Sequence, residues 1–156
     1  MEISFDKEQY KDLLKTTHIT TSILGILGDY FPDDFKEQSG KIDSLQNHIL
    51  KHAKDFDCSN MVEDYKGKII LEEEEYNKMD KIVDEYDDFT FWEELETRLG
   101  HRDLAKELTQ AEKERLKQDT KFMVEKTEEY FQKYRDEFEK NGIERLEIKN
   151  IFKKFK

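Results

Sequence analysis

The sequence FDKEQYKDLLKTTHITTSILGILG, from Phe5 to Gly28, indicates an α-helical fold. Apolar side chains and two threonines recur in it at the 3.6-residue spacing of one helix face. They are Tyr10, Leu13, Leu14, Thr17, Thr21, Leu24 and Leu27. Asp6 and Gln9 form a capping-box pattern, so the helix is predicted to begin at Asp6. Gly28 and Pro32 predict where it ends.

The rest of the chain keeps the helical spacing and has few helix breakers, with six glycines and one proline in the whole sequence. The predicted elements are a loop over residues 29–40 and helices over 41–56, 72–86, 90–108 and 109–141. Capping-box patterns at Thr90 and Thr109 predict where the last two helices begin, and Gly100 predicts an interruption. A β-branched run over 68–71 predicts a lone extended segment. The predicted fold class is all-α, a bundle of five or six helices.

Any domain boundary is predicted near Thr109. Residues 1–108 would then form a helical core domain, and residues 109–156 a long helix, capped by Gly142, with a short basic helix packed on it. The two parts are expected to form one domain overall. The tail carries Ile148, Ile151, Phe152 and Phe155 among lysines. Packing on the core, a partner groove and an anionic membrane surface are the alternatives for it.

Charge is distributed unevenly along the chain, whose formal net charge is −11. Residues 57–96 hold fifteen Asp and Glu against four Lys, whereas residues 141–156 hold five basic residues against two acidic ones. This balance disfavours direct binding to nucleic acid and allows a basic protein partner. The single cysteine, Cys58, excludes an internal disulfide and predicts a cytoplasmic setting. No signal peptide or transmembrane segment is expected.

The most distinctive stretch is YDDFTFWEELETRLGHRD, from Tyr86 to Asp103. It fits the motif Y-D-[DE]-x-x-F-W-x-x-L-x-x-R-L-x-x-R-D and resembles small bacterial proteins that carry this motif. The resemblance extends over residues 2–108. No activity is established for such proteins, so the resemblance implies a bacterial or phage origin and adds no function.

Within this motif, Arg98 and Arg102 are four residues apart and therefore neighbours on one helix face. Three carboxylates could pair with them, those of Asp87, Asp88 and Asp103. Trp92 would be buried on the same helix. One interpretation is an ion-pair network that fixes the angles between helices. The other is a binding site in which two guanidinium groups hold a carboxylate or a phosphate.

The sequence contains no convincing catalytic or metal-binding motif. His48 and His52 have the spacing of two metal ligands on a helix, but the glutamate of a zinc protease is absent between them. They are therefore expected in the core or at its boundary. Cys58 has no base next to it in the sequence, and Glu147-Ile148-Lys149 lacks the strands of a metal-dependent nuclease. We expect no catalytic residue, no metal and no cofactor.

The function hypothesis is a non-enzymatic protein-interaction module with an acidic contact surface. That surface would include Glu72, Glu73, Glu74 and Glu75. One alternative is a small-ligand or anion-binding protein, or an enzyme, built around Arg98, Arg102 and the three aspartates. Another is an acidic inhibitor that imitates nucleic acid. A homo-oligomer formed through the helix over 109–141 is a further alternative.

Overall fold

The computed structural model describes residues 3–147, without the side chains of residues 32 and 33. Five helices make up most of this range and confirm the all-α class. They are α1 (Lys7–Tyr30), α2 (Pro32–Leu50), α3 (Glu73–Glu107), α4 (Gln110–Gln118) and α5 (Thr120–Asn141). Two short 3₁₀ turns and a two-stranded hairpin separate α2 from α3. They are the turns Ala53–Phe56 and Ser59–Met61 and the strands β1 (Val62–Tyr65) and β2 (Lys68–Leu71).

The start of α1 confirms the predicted capping box. The Asp6 carboxylate accepts from the Gln9 amide at 2.8 Å, and the Gln9 side chain accepts from the Asp6 amide at 3.0 Å. The predicted loop over residues 29–40 is wrong, because α2 already begins at Pro32. Proline at the first helical position sacrifices only an N–H that would have no helical partner there, so it starts a helix as readily as it ends one.

The extended segment over residues 68–71 is confirmed, but it is not alone. It pairs antiparallel with β1, with Val62 opposite Leu71 and Tyr65 opposite Lys68. The turn between the strands places Lys66 and Gly67 at φ 55° and 81°. Two successive residues with positive φ match the tight hairpin turn that suits the twist of paired strands. The sequence analysis missed β1 because it is only four residues long and mostly polar.

The helix α3 is continuous over 35 residues, about 52 Å at the rise of an α-helix. The predicted break before Thr90 is therefore wrong, as is the predicted interruption at Gly100. A threonine followed by a glutamate three residues later also occurs inside helices. No glycine or proline lies between Glu72 and Leu99 to break this one.

The predicted long helix over residues 109–141 is divided in two. The Thr109 capping box opens α4 as predicted, and Gly142, with φ 55°, ends α5 as predicted. Between them Asp119 leaves the helical conformation, and its carboxylate accepts from the Phe122 amide at 2.9 Å. Aspartate favours the cap of a new helix over a helix interior, which accounts for the break.

The chain forms two compact units, one up to Asp87 and one from Asp88 onward. The first unit packs α1 and α2 as a helical hairpin against β2 and the start of α3. Its buried core consists of Tyr10, Leu14, Ile49, Leu50, Ala53, Cys58, Met61, Leu71 and Met79. The second unit has its own buried cluster of Leu104, Leu108 and Tyr130, with Leu116 packed against it. Thr109 lies inside the second unit, and the apolar and basic tail over 148–156 lies outside the described residues.

Candidate interaction groove in the second unit

The two arginines of the motif each bind a carboxylate of their own. Nε of Arg98 lies 2.7 Å from Glu94, and the Arg98 side chain is 79% exposed. Arg102 donates to both oxygens of Asp103, at 2.7 and 2.9 Å, and to the Tyr134 hydroxyl at 2.9 Å. Hydrogen bonds from Arg102 and Tyr134 hold the pKa of Asp103 well below its usual range. Both guanidinium groups are therefore already neutralised by neighbouring side chains.

The other predicted site residues lie in different surroundings. Asp88 accepts a hydrogen bond from the indole Nε1 of Trp92 at 3.1 Å, one helical turn along α3. Asp87 is exposed and belongs to the first unit. The separation of ten positions between Asp88 and Arg98 corresponds to about 15 Å along a helix. The structure thus joins Arg102 to Asp103 and Trp92 to Asp88, rather than collecting the motif residues in one pocket.

Trp92 instead lines an open groove between α3 and α5, which we call the Trp92 groove. Its volume is about 540 Å³, and its lining residues are Phe89, Trp92, Glu93, Glu96, Arg135, Phe138 and Glu139. The four α3 residues share a face because they follow the three- and four-residue spacing of a helix. The indole packs against the Phe138 ring at 5.5 Å and against the Phe91 ring at 5.0 Å. These contacts and the bond to Asp88 fix the orientation of the indole.

The groove is acidic as well as aromatic. Glu96 is only 8% exposed and binds Nη2 of Arg135 at 3.0 Å, while Nη1 of the same arginine binds Glu128 at 3.0 Å. Two carboxylates therefore already neutralise this guanidinium. Glu93 and Glu139 are exposed, and neither has a basic partner among residues 3–147. Two unpaired carboxylates thus stand beside aromatic side chains.

Sequence reasoning found only part of this site. It placed Trp92 in the motif and a capping-box pattern at Thr90, but it did not connect the helix of Trp92 with the helix over 109–141. The signal that could have identified the α3 side is the spacing of Phe89, Trp92, Glu93 and Glu96 on one face. No local pattern indicates that Arg135 meets Glu96, because 39 residues separate them.

The acidic run Glu72–Glu75 has a local structural role. The Glu72 carboxylate accepts from the backbone amides of Glu74 and Glu75 at 2.9 and 3.3 Å, where the first amides of α3 lack helical partners. Lys78 binds Glu74 at 2.8 Å and Glu75 at 2.9 Å. Negative charge at the first turn also favours the helix dipole. The run therefore stabilises the start of α3, whatever else it contacts.

His18 is a buried polar residue that the sequence analysis did not single out. It is 5% exposed; its Nδ1 lies 3.2 Å from the Gln46 amide nitrogen, and its Nε2 lies 3.8 Å from Asp80. Burial lowers its pKa, and the Asp80 charge opposes that change. With Gln46 and Tyr76 it lines a cavity of about 490 Å³ in the first unit. The available signal was its position four residues after Leu14 on the buried face of α1.

The histidine pair and the cysteine that the sequence analysis considered all lie in the first unit. His48 and His52 are both exposed, so their expected place in the core or at its boundary is wrong. Their rings lie 5.0 Å apart, and His52 binds Asp55 at 2.9 Å. Among residues 3–147, no three histidine, cysteine or carboxylate side chains are grouped to hold a metal ion. Cys58 is fully buried, and its thiol donates to the Phe56 carbonyl at 3.3 Å.

No helix within residues 3–147 is both long enough and apolar enough to cross a membrane. Comparisons of the chain with protein families, with curated proteins and with solved structures gave no match. The resemblance carried by the motif from Tyr86 to Asp103 therefore stays a prediction.

Proposed function

We propose that this protein is a non-enzymatic interaction module that binds a basic protein partner through α3. The observation that carries the proposal is the exposure of large aromatic side chains on a strongly acidic helix. Phe89 is 63% exposed and Phe91 is 52% exposed. Residues 73–96 around them contain eleven Asp and Glu against two Lys.

The two phenylalanines have an energetic reason to be covered. Burying one large apolar side chain is worth about 1.5–3 kcal/mol, and this gain is not realised while the ring faces water. Aromatic residues are also enriched in protein interfaces. A single exposed ring is common on protein surfaces and does not by itself indicate an interface. Aromatic rings set among carboxylates therefore favour a partner that combines apolar surface with positive charge.

The acidic side chains around the two phenylalanines favour a partner of opposite charge. Complementary charge speeds association and excludes acidic competitors, and its effect weakens as salt screens the charges. The anion-binding alternative needs Arg98 and Arg102 to release Glu94 and Asp103, so their existing ion pairs count against it. The nucleic-acid mimic and the homo-oligomer stay predictions, since no particular contact favours either.

The test is a comparison of three immobilised variants exposed to a lysate of the source organism at low and high salt. The first is the parent protein, the second carries Phe89→Ser with Glu93→Gln, and the third carries Tyr30→Ser. Tyr30 is the matched control because it is an exposed aromatic residue of the first unit. We expect a basic protein to be retained by the parent and the control, to be released by salt, and to be lost with the double variant.

Purified candidates are then titrated against the same three variants. A partner that binds all three equally, or whose affinity does not fall with salt, would contradict the proposal. Circular dichroism of the double variant establishes that a loss of binding does not reflect unfolding.

A further inference from the structure

The Trp92 groove already contains one cationic side chain in an aromatic and acidic setting. Arg135 lies along the groove wall, with its guanidinium 3.0 Å from the buried carboxylate of Glu96. The remaining space of about 540 Å³ is several times the volume of one side chain. The groove thus has room for an occupant next to its own arginine.

The charges around this space are unbalanced. Arg135 is neutralised by Glu96 and Glu128, which leaves Glu93 and Glu139 as exposed carboxylates without a basic partner in the described part of the chain. Elsewhere on α3 the neighbouring carboxylate of Glu94 is paired, with Arg98 at 2.7 Å. A cation entering the groove would therefore meet two carboxylates that do not have to give up an existing ion pair.

The walls of the space are aromatic. Phe89 is exposed at one side, and Trp92 is held in place by Asp88 and Phe138. A cation near an aromatic face is attracted by the negative charge of the ring face, most strongly with tryptophan. Because the indole is already oriented, little conformational entropy is lost when a cation binds against it.

From these observations we infer that the Trp92 groove is a binding site for a cationic side chain, an arginine or a lysine, of a basic protein segment. Arginine fits best, because its planar guanidinium stacks on aromatic rings and binds carboxylates through two N–H groups. The inference rests on the proposed function and assigns the contact to one site. Glu93, Glu139 and Trp92 make the contact, and Phe89 covers it.

The test uses the intact protein and a short glycine-rich peptide that carries two arginines. Its twin has citrulline, which has nearly the same shape and no charge, in place of arginine. Trp92 is the only tryptophan, so its fluorescence and its indole N–H resonance report directly on the groove. We expect the arginine peptide to change both signals in a saturable way and to bind about ten-fold more tightly than its twin.

The variants localise the effect. Glu93→Gln with Glu139→Gln is expected to weaken binding of the arginine peptide about ten-fold, to the level of the citrulline peptide. Glu94→Gln removes a carboxylate of the same helix that lies outside the groove, and binding is expected to stay within about two-fold of the parent. Unchanged chemical shifts of the other amides show that the variants remain folded.

Two results would overturn the inference. One is equal binding of the arginine and citrulline peptides, and the other is an equal loss of affinity in Glu94→Gln and in the groove variant. If a basic protein partner is nevertheless released by salt and lost with the Phe89→Ser, Glu93→Gln double variant, the proposed function stands without this site for a cationic side chain. Conversely, binding of the arginine peptide in the groove supports the inference even where no basic partner is retained, a result that contradicts the proposed function alone.

Discussion

At the scale of the residue, Gly100 shows how one missing side chain brings two helices together. A Cβ on Gly100 would lie 2.5 Å from Cδ1 of Phe131, and the His101 ring packs edge-on against the same phenylalanine at 4.9 Å. Alanine would normally gain about 1 kcal/mol over glycine inside a helix, but overpacking costs about 1–3 kcal/mol. We expect Gly100→Ala to lower the free energy of unfolding by about 1 kcal/mol in urea denaturation.

Gly40 provides the matched control, because it lies in α2 with nothing within 4 Å of its added Cβ. Gly40→Ala is expected to raise the free energy of unfolding by about 0.5–1 kcal/mol. If both alanine variants stabilise the protein equally, Gly100 is not needed for the approach of Phe131.

His18 makes the first unit sensitive to acid. Its pKa lies below the ordinary 6.5 because burial disfavours the charged imidazole. The unfolded chain therefore takes up a proton at a higher pH than the folded protein does. Stability contributed by the neutral ring is complete above pH 6.5 and is lost as the pH falls toward the lower pKa of the folded state.

Three side chains face His18 from the neighbouring helices. They are Gln46 of α2 and Tyr76 and Asp80 of α3. We expect His18→Gln to flatten the dependence of the unfolding free energy on pH below about 6.5. Asp80→Asn removes the charge that raises the pKa of His18, so it should make that dependence steeper. Denaturant titrations at several pH values measure both, and identical slopes for the parent and His18→Gln would exclude this role.

At the scale of the element, the helix caps show which local patterns are sufficient. The same threonine–glutamate spacing occurs at Thr90 and at Thr109, yet only Thr109 caps a helix. Leu108, just before Thr109, is buried. The helix that begins after Thr109, α4, packs on α5. Thr90 lies inside α3, where the backbone amides already have helical partners, so there is no helix start for the pattern to cap.

The capping box of α4 is expected to matter because the helix has only nine residues. Short helices are marginal without caps or packing, and a lost threonine cap costs about 1 kcal/mol. Thr109→Ala should therefore lower the free energy of unfolding by about 1 kcal/mol, whereas Thr109→Ser keeps the hydroxyl and most of the stability. Thermal and urea denaturation measure the difference, and equal stability of the two variants would show that the cap is dispensable.

At the scale of the whole molecule, the two units have separate buried cores. The first is centred on residues such as Leu14, and the second on Leu104, Leu108 and Tyr130. Truncating a large buried side chain to alanine lowers the free energy of unfolding by about 2–5 kcal/mol. The loss falls mainly on the cooperative unit that contains the residue.

Leu108→Ala is therefore expected to raise the hydrogen exchange of α4 and α5 more than that of α1 and α2. Leu14→Ala should show the reverse pattern. Mass spectrometry of exchanged peptides resolves the two units. Uniform loss of protection in both variants would mean that the units unfold as one.

The features that the sequence predicted correctly depend on residues within about four positions of one another. The helical class, the caps at Asp6 and Thr109, and the end of α5 at Gly142 follow from spacing and capping chemistry, which act locally. The Trp92 groove, in contrast, exists only because α3 and α5 pack together. Trp92 and Phe138 are 46 residues apart in the chain, and their contact is a matter of helix packing that no local pattern encodes. The same holds for the burial of His18 against Gln46, which joins two helices across 28 residues.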